Sequence, residues 1–141
     1  MDIPRTAASD QFSIQAIWGK MLRHFPHVNA DPAHRTRDYF IAAFTFLCVS
    51  ISAIFEIGGS VGVQQVLGAI AWIVLIGLML GENRETKAQV AIAVIFATLG
   101  EHFASLYMGG YTYRFENVPA YVPPGHGMVY LTAVALARSG F

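Results

Sequence analysis

Cysteine is nearly absent: Cys48 is the only one in 141 residues. A lone thiol excludes an intrachain disulfide and a zinc site built on cysteines, and its place inside an apolar run reads as a buried structural residue. Charge is scarce as well. Asp, Glu, Lys and Arg make up 13% of the chain, well below the roughly 25% of a typical soluble domain. Nine basic residues balance nine acidic ones, so no positive excess exists to hold nucleic acid through counterion release. There is no internal repeat and no low-complexity tract. A cleavable signal peptide is not evident either, because a polar leader of more than thirty residues precedes the first apolar run.

What the chain has in excess is apolar sequence, 55% of all residues. Three runs reach the length of about 20 residues that the hydrocarbon core of a bilayer requires. They are YFIAAFTFLCVSISAIFEIG (39–58), VGVQQVLGAIAWIVLIGLML (61–80) and AQVAIAVIFATLGEHFASLYM (88–108). A fourth run, MVYLTAVALA from Met128, is interrupted by Arg138. At about half the required length it could re-enter or pack as a partial helix. The expectation is instead the start of a span, with 128–141 as its first part, because an open helix end in lipid leaves carbonyls unsatisfied. The fold class that follows is all-α, a polytopic membrane bundle over 38–141, preceded by a leader over 1–37.

Within the leader, Ile14, Ile17, Trp18, Met21, Leu22 and Phe25 recur at helical spacing, opposed by Gln11, Gln15, Lys20 and Arg23. Asp10 can cap the start and Pro26 ends the pattern, which predicts an amphipathic helix over 10–25 lying on the membrane surface or on protein. Lys20, Arg23, Arg35 and Arg37 precede the first span, Arg84 and Lys87 separate the second from the third, and the 58–60 turn has no cation. By the positive-inside rule the N-terminus is expected in the cytoplasm and the 109–127 loop outside, in a cell or bacterial-type inner membrane.

Helix association in lipid depends on close approach at small residues. Ala93, Ala97, Gly100 and Ala104 form one stripe on the third span, and Gly77 and Gly81 have small-xxx-small spacing at the end of the second. The short turn predicts that the first two spans form an antiparallel hairpin, against which the third lays its stripe.

The chemistry-bearing residues collect at the outer end. Glu101 lies within the third span, where an ionised carboxylate facing lipid is costly and must turn to the bundle interior or a wet cavity. Arg114 and His126 are its expected partners. Glu56, His102 and Glu116 fall at the same level, and Tyr107, Tyr111, Tyr113, Tyr121 and Tyr130 suit an interfacial aromatic belt. A structural reading makes Glu101 and Arg114 a pinning ion pair. A metal site is disfavoured: adjacent helical residues such as Glu101 and His102 diverge by about 100°, and neither HxxxH nor HxxE spacing occurs. No cofactor is implied. PPGH (123–126) matches the P-x-G-H tetrad of lipid phosphatases over four residues, but the accompanying Lys, Arg-Pro, Ser-Arg and second His elements are missing.

A longer pattern, Glu101, then Gly110-Tyr111-Thr112-Tyr113, then Val118-Pro119 and Val122-Pro123, resembles the carotenoid-hydratase family of polytopic membrane proteins. It covers about thirty residues, with His126 at a position where an aromatic is expected. The resemblance implies an enzyme adding water to, or removing it from, a long isoprenoid. Glu101 would be its general acid, with tyrosine side chains lining an apolar groove; an enzyme reading in general takes Glu101, His126 and Arg114 as catalytic, with Tyr111, Tyr113, Tyr121 and His102 as a substrate or lipid groove. The leading expectation is an accessory or structural membrane protein whose outer loop and small-residue stripe contact membrane lipids, a partner membrane protein or a second copy of the chain. The alternative is a membrane enzyme acting on a lipid or isoprenoid at the outer leaflet.

Overall fold

A computed structural model describes residues 35–139 of the chain. The amphipathic segment expected over 10–25 and the remainder of the leader up to residue 34 lie outside the described residues. The described part is all helical: α1 (Arg35–Glu56), α2 (Val61–Met79), α3 (Arg84–Glu101) continued by a π-helical segment (His102–Tyr107), and α4 (Val122–Ser139). Helices α1 and α2, and α3 with its π extension, are each long and apolar enough to cross a membrane. Between 11% and 28% of their apolar windows is buried within the chain, so most of that surface faces outward. Phe46, Ile54, Ile73, Leu80 and Phe96 are among the exposed side chains. Contiguous apolar surface on this scale is stable in a bilayer and not in water.

The helix ends extend past the apolar runs because local caps reach into the polar turns. Asn83 Oδ1 accepts from Thr86 N at 2.8 Å and starts α3 ahead of its apolar stretch. Ser60 Oγ accepts from Val63 N and starts α2. Gly58, at φ +77°, makes the reversal between α1 and α2, a conformation that disfavours side chains.

Helix α4 occupies the centre. Leu131 and Ala135 are fully buried and Met128 nearly so, against Ile41 of α1, Leu75 of α2 and Val90 and Val94 of α3. The first two spans do contact each other across their short turn, but the expectation that α3 lies on that hairpin is corrected: α3, like α1 and α2, packs mainly onto α4. The helix also begins at Val122, well before the apolar run at Met128, because Pro123 and Pro124 sit in its first turn where their missing N–H groups cost nothing.

The small-residue contacts differ from those expected. Gly77 and Gly100 face open space, and Ala93, Ala97 and Ala104 are only half-buried beside the true packing stripe of Thr86, Val90, Val94 and Ser105. Gly81 does make a close approach, but to the Arg37 guanidinium. The close helix contacts fall elsewhere. A Cβ on Gly68 would lie 2.5 Å from Ala120 Cβ, and one on Gly127 would lie 2.7 Å from Val94 Cγ2 and 2.8 Å from Leu75 Cδ2. Gly68 thus lets the loop before α4 fold in against α2, where Pro119 is fully buried.

Candidate functional site: two clefts beside a tyrosine loop

At the loop end of the bundle, α3 passes into its π-helical turn directly after Glu101. Ser105 Oγ donates to the Glu101 carbonyl at 2.7 Å, and Thr98 Oγ1 donates to Val94 O at 2.6 Å, satisfying carbonyls where the ladder changes period. The chain then leaves through Gly109, at φ +63°, with Gly110 N closing onto Ala104 O. This turns 110–121 back across the helix ends and brings its tyrosines over Glu101.

The Glu101 carboxylate is heavily engaged. Tyr111 and Tyr113 both donate their hydroxyls to Oε2, Tyr113 at 2.8 Å, and the two rings meet edge to face. Hydrogen bonding to Glu101 raises the Tyr111 phenol above its ordinary value, and burial followed by the same carboxylate raises that of Tyr113. His126 Nε2 lies 3.4 Å from Glu101 Oε1. Its Nδ1 is 3.0 Å from Val122 O. Since a carbonyl only accepts, Nδ1 carries a hydrogen, and Nε2 is the ring nitrogen turned toward Glu101.

Of the residues expected to gather at Glu101, Tyr111, Tyr113 and His126 do so. Arg114 does not: its Nη1 donates to the Glu56 carbonyl at 3.2 Å and its guanidinium stacks over Phe115. The expected Glu101–Arg114 ion pair is thus absent, because the tight 113–116 turn, with Glu116 at φ 54°, carries Arg114 toward α1. His102 is exposed, with Nδ1 donating to Thr98 O at 2.8 Å. Tyr121 packs beside the core; burial foremost, and then the Glu56 carboxylate, raise its phenol.

Two adjoining clefts flank α1, whose loop-end half has left the bundle: its fully buried positions, Asp38, Ile41 and Thr45, all lie in the opposite half. The first cleft, of about 290 Å³, lies between α1 and α4 and has a polar rim of Glu56, Tyr113, Tyr121 and His126. The second, of about 830 Å³, lies between α1 and α2 and is walled by apolar side chains such as Phe44, Ile51, Val63 and Val66, with Cys48 among them. Ser52, Ala71 and Met128 line both, so the clefts meet beneath α1. Glu101 borders neither. No group of three or more His, Cys, Asp or Glu suited to a metal ion occurs among the described residues.

Sequence reasoning missed two polar systems. One is a relay: Asn117 Nδ2 donates to Gln64 Oε1 at 3.4 Å, and Gln64 Nε2 donates to Glu56 Oε1 at 3.0 Å, with Gln64 2% exposed. The other lies at the opposite end. Arg138 bridges Asp38 at 2.6 Å and Glu82 at 2.6 Å, and Arg37 adds a bond to Glu82 at 2.7 Å. An arginine interrupting an apolar run, and an aspartate at the start of another, were the available signals.

The chain matches no protein-family model, no curated protein and no solved structure. What the fold itself defines is an all-α chain with three helices of membrane-spanning length and composition around a fourth, buried helix. Its particular feature is the pair of joined clefts under α1.

Proposed function

We propose that this chain is a small integral membrane protein that holds the apolar tail of an amphiphile between α1 and α2, with the polar end of that molecule at the rim beside Glu56, Tyr121 and His126. The observation that carries this reading is the junction of the two clefts at Ser52, Ala71 and Met128. Together they set an apolar cleft directly beside a polar rim, in the volume range of small-molecule sites. The role is that of a binding or accessory protein. Glu101 serves the loop: with both carboxylate oxygens engaged, it anchors Tyr111, Tyr113 and α4 to the end of α3.

Cys48 makes the reading testable without mutation, since it is the only thiol and lines the apolar cleft. In nanodiscs, a saturating long-chain amphiphile should slow alkylation of Cys48 by a membrane-permeant maleimide several-fold. An unchanged rate would exclude occupancy between α1 and α2.

A second reading, catalysis on such a molecule, is favoured by one observation: His126, whose Nε2 lies 3.4 Å from Glu101 Oε1, also forms part of the polar rim. In it His126 exchanges a proton with the bound head and Glu101 resupplies it. Chemical conversion of a bound amphiphile, lost in His126→Ala with binding retained, would establish catalysis. Retention of the amphiphile unaltered supports the accessory role.

The orientation we infer from Lys and Arg placement puts the Arg37–Glu82–Arg138 end in the cytoplasm and the tyrosine loop outside, in a bacterial-type inner membrane. Thr112→Cys in a Cys48→Ser background should react with an impermeant maleimide added to intact cells. Reaction only after lysis would reverse the orientation.

A further inference from the structure

The polar rim carries information about the head group that it would receive, and this inference rests on the amphiphile-binding reading above. Around Glu56 the fixed groups are arranged as donors toward a carboxylate. Gln64 Nε2 donates to Oε1, oriented by the Asn117 amide behind it, and Tyr121 lines the cleft beside the same carboxylate. A carboxylate has about four acceptor positions, so Glu56 keeps acceptor capacity on the side that lines the cleft. Asn117 Oδ1, behind Gln64, is out of contact with solvent and without a hydrogen bond among the described residues, and it does not line the cleft. Glu101 stands behind His126, 3.4 Å from its Nε2, and does not line the cleft. Arg114, the nearby guanidinium, is turned to the Glu56 carbonyl and to Phe115 and does not line the cleft.

Such a rim offers acceptors and an acidic side chain but no unengaged cation. A phosphate or carboxylate head would sit against Glu56 without a counter-charge, and like-charge juxtaposition of this kind costs several kcal/mol in an interface. An ammonium head finds a carboxylate, but Arg114 on the neighbouring carbonyl already supplies positive charge there. A hydroxyl satisfies what is present: its O–H donates to the free acceptor position of Glu56. We propose that the joined clefts select an amphiphile with an uncharged, hydrogen-bond-donating head, a long-chain alcohol, over the anionic phosphate of the same chain.

The test uses full-length protein in nanodiscs loaded with equal amounts of hexadecanol and hexadecyl phosphate, released into native mass spectrometry. Wild-type protein is expected to retain the alcohol at least about tenfold over the phosphate. Glu56→Gln keeps the shape of the site while removing the charge and turning one acceptor into a donor, so it should narrow the preference sharply. Equal retention of both molecules by wild type overturns the head-group inference while leaving the groove reading standing. Retention of neither overturns the groove reading itself. An unchanged preference in Glu56→Gln removes Glu56 as its source. Ser52→Phe, which obstructs the junction of the clefts, should abolish retention of the alcohol; undiminished retention there would place the bound molecule on the outer lipid-facing surface and contradict the proposal.

Discussion

Replacing Arg138 with alanine is expected to destabilise the bundle by about 3–5 kcal/mol, the cost typical of leaving buried charges without their partner. Arg138 joins three segments distant in sequence. Its Nε and Nη2 donate to Asp38 Oδ1 at 2.8 and 2.6 Å, and its Nη1 and Nη2 donate to Glu82 at 2.6 and 2.8 Å. Asp38 is 0% exposed and the Glu82 side chain 2%, so neither carboxylate can recover its hydration when the guanidinium is removed. The helix termini reinforce the arrangement, since Asp38 lies in the first turn of α1 and Arg138 in the last turn of α4, where each sign suits the local dipole. The triple variant Arg138→Met, Asp38→Asn, Glu82→Gln should recover most of the loss, because it removes the stranded charges along with the cation. Reversible unfolding in mixed micelles measures each difference.

The same network sets an acid limit. The Arg138 hydrogen bond foremost, opposed by burial and assisted by Arg37, holds the Glu82 carboxyl below its ordinary value. A depressed carboxylate stabilises the fold fully above its unfolded pKa, near 4.3, and loses that contribution as pH falls through the folded value. Wild-type stability should therefore decline on acidification through this region. In Arg138→Ala only Arg37 opposes the effect of burial, and the decline should shrink.

The second large effect is expected at Gly68. Alanine there puts a methyl 2.5 Å from Ala120 Cβ and 2.9 Å from the Ala120 carbonyl carbon. Backbone cannot rotate away as a side-chain terminus does, so Gly68→Ala should cost about 1–3 kcal/mol, as overpacking does, and lift the loop off α2. Faster tryptic cleavage after Arg114 would report that movement. Gly127→Ala meets only the branch ends of Val94 and Leu75, which can turn, and should cost less. Gly77→Ala and Gly100→Ala enter open space and should fall within about 0.5 kcal/mol of wild type. Equal losses at Gly77 and Gly68 would contradict the packing around α4.

These contrasts show what the sequence could convey. The three long helices were legible because hydrocarbon length and apolar run length are the same physical quantity. The start of α4 was not, since Pro123 and Pro124 belong to a helical first turn as readily as to the turn before it. Small residues marked where helices could approach, yet which face is used depends on the partner, and the partners of Gly68 and Gly127 come from the loop and from two other helices. The meeting of Glu101 with His126 followed from depth alone, whereas the reach of Arg114 depended on the path of a turn with positive φ at Glu116. Asp38 and Arg138 are separated by 100 positions, and nothing local announces their pairing.

The central claim is that α1 and α2 enclose a specific amphiphile and not merely bulk lipid, and site-resolved photocrosslinking tests it most directly. A long-chain alcohol bearing a diazirine near the end of its tail, incorporated at low density in nanodiscs with the full-length protein, should place its adducts on Phe44, Ile51, Val63 and Val66 in the groove. The outward-facing Ile92, Phe96 and Leu99 of α3 supply the reference for ordinary lipid contact. Adducts concentrated in the groove are the predicted result; adducts as frequent on the α3 face as between α1 and α2 would contradict it.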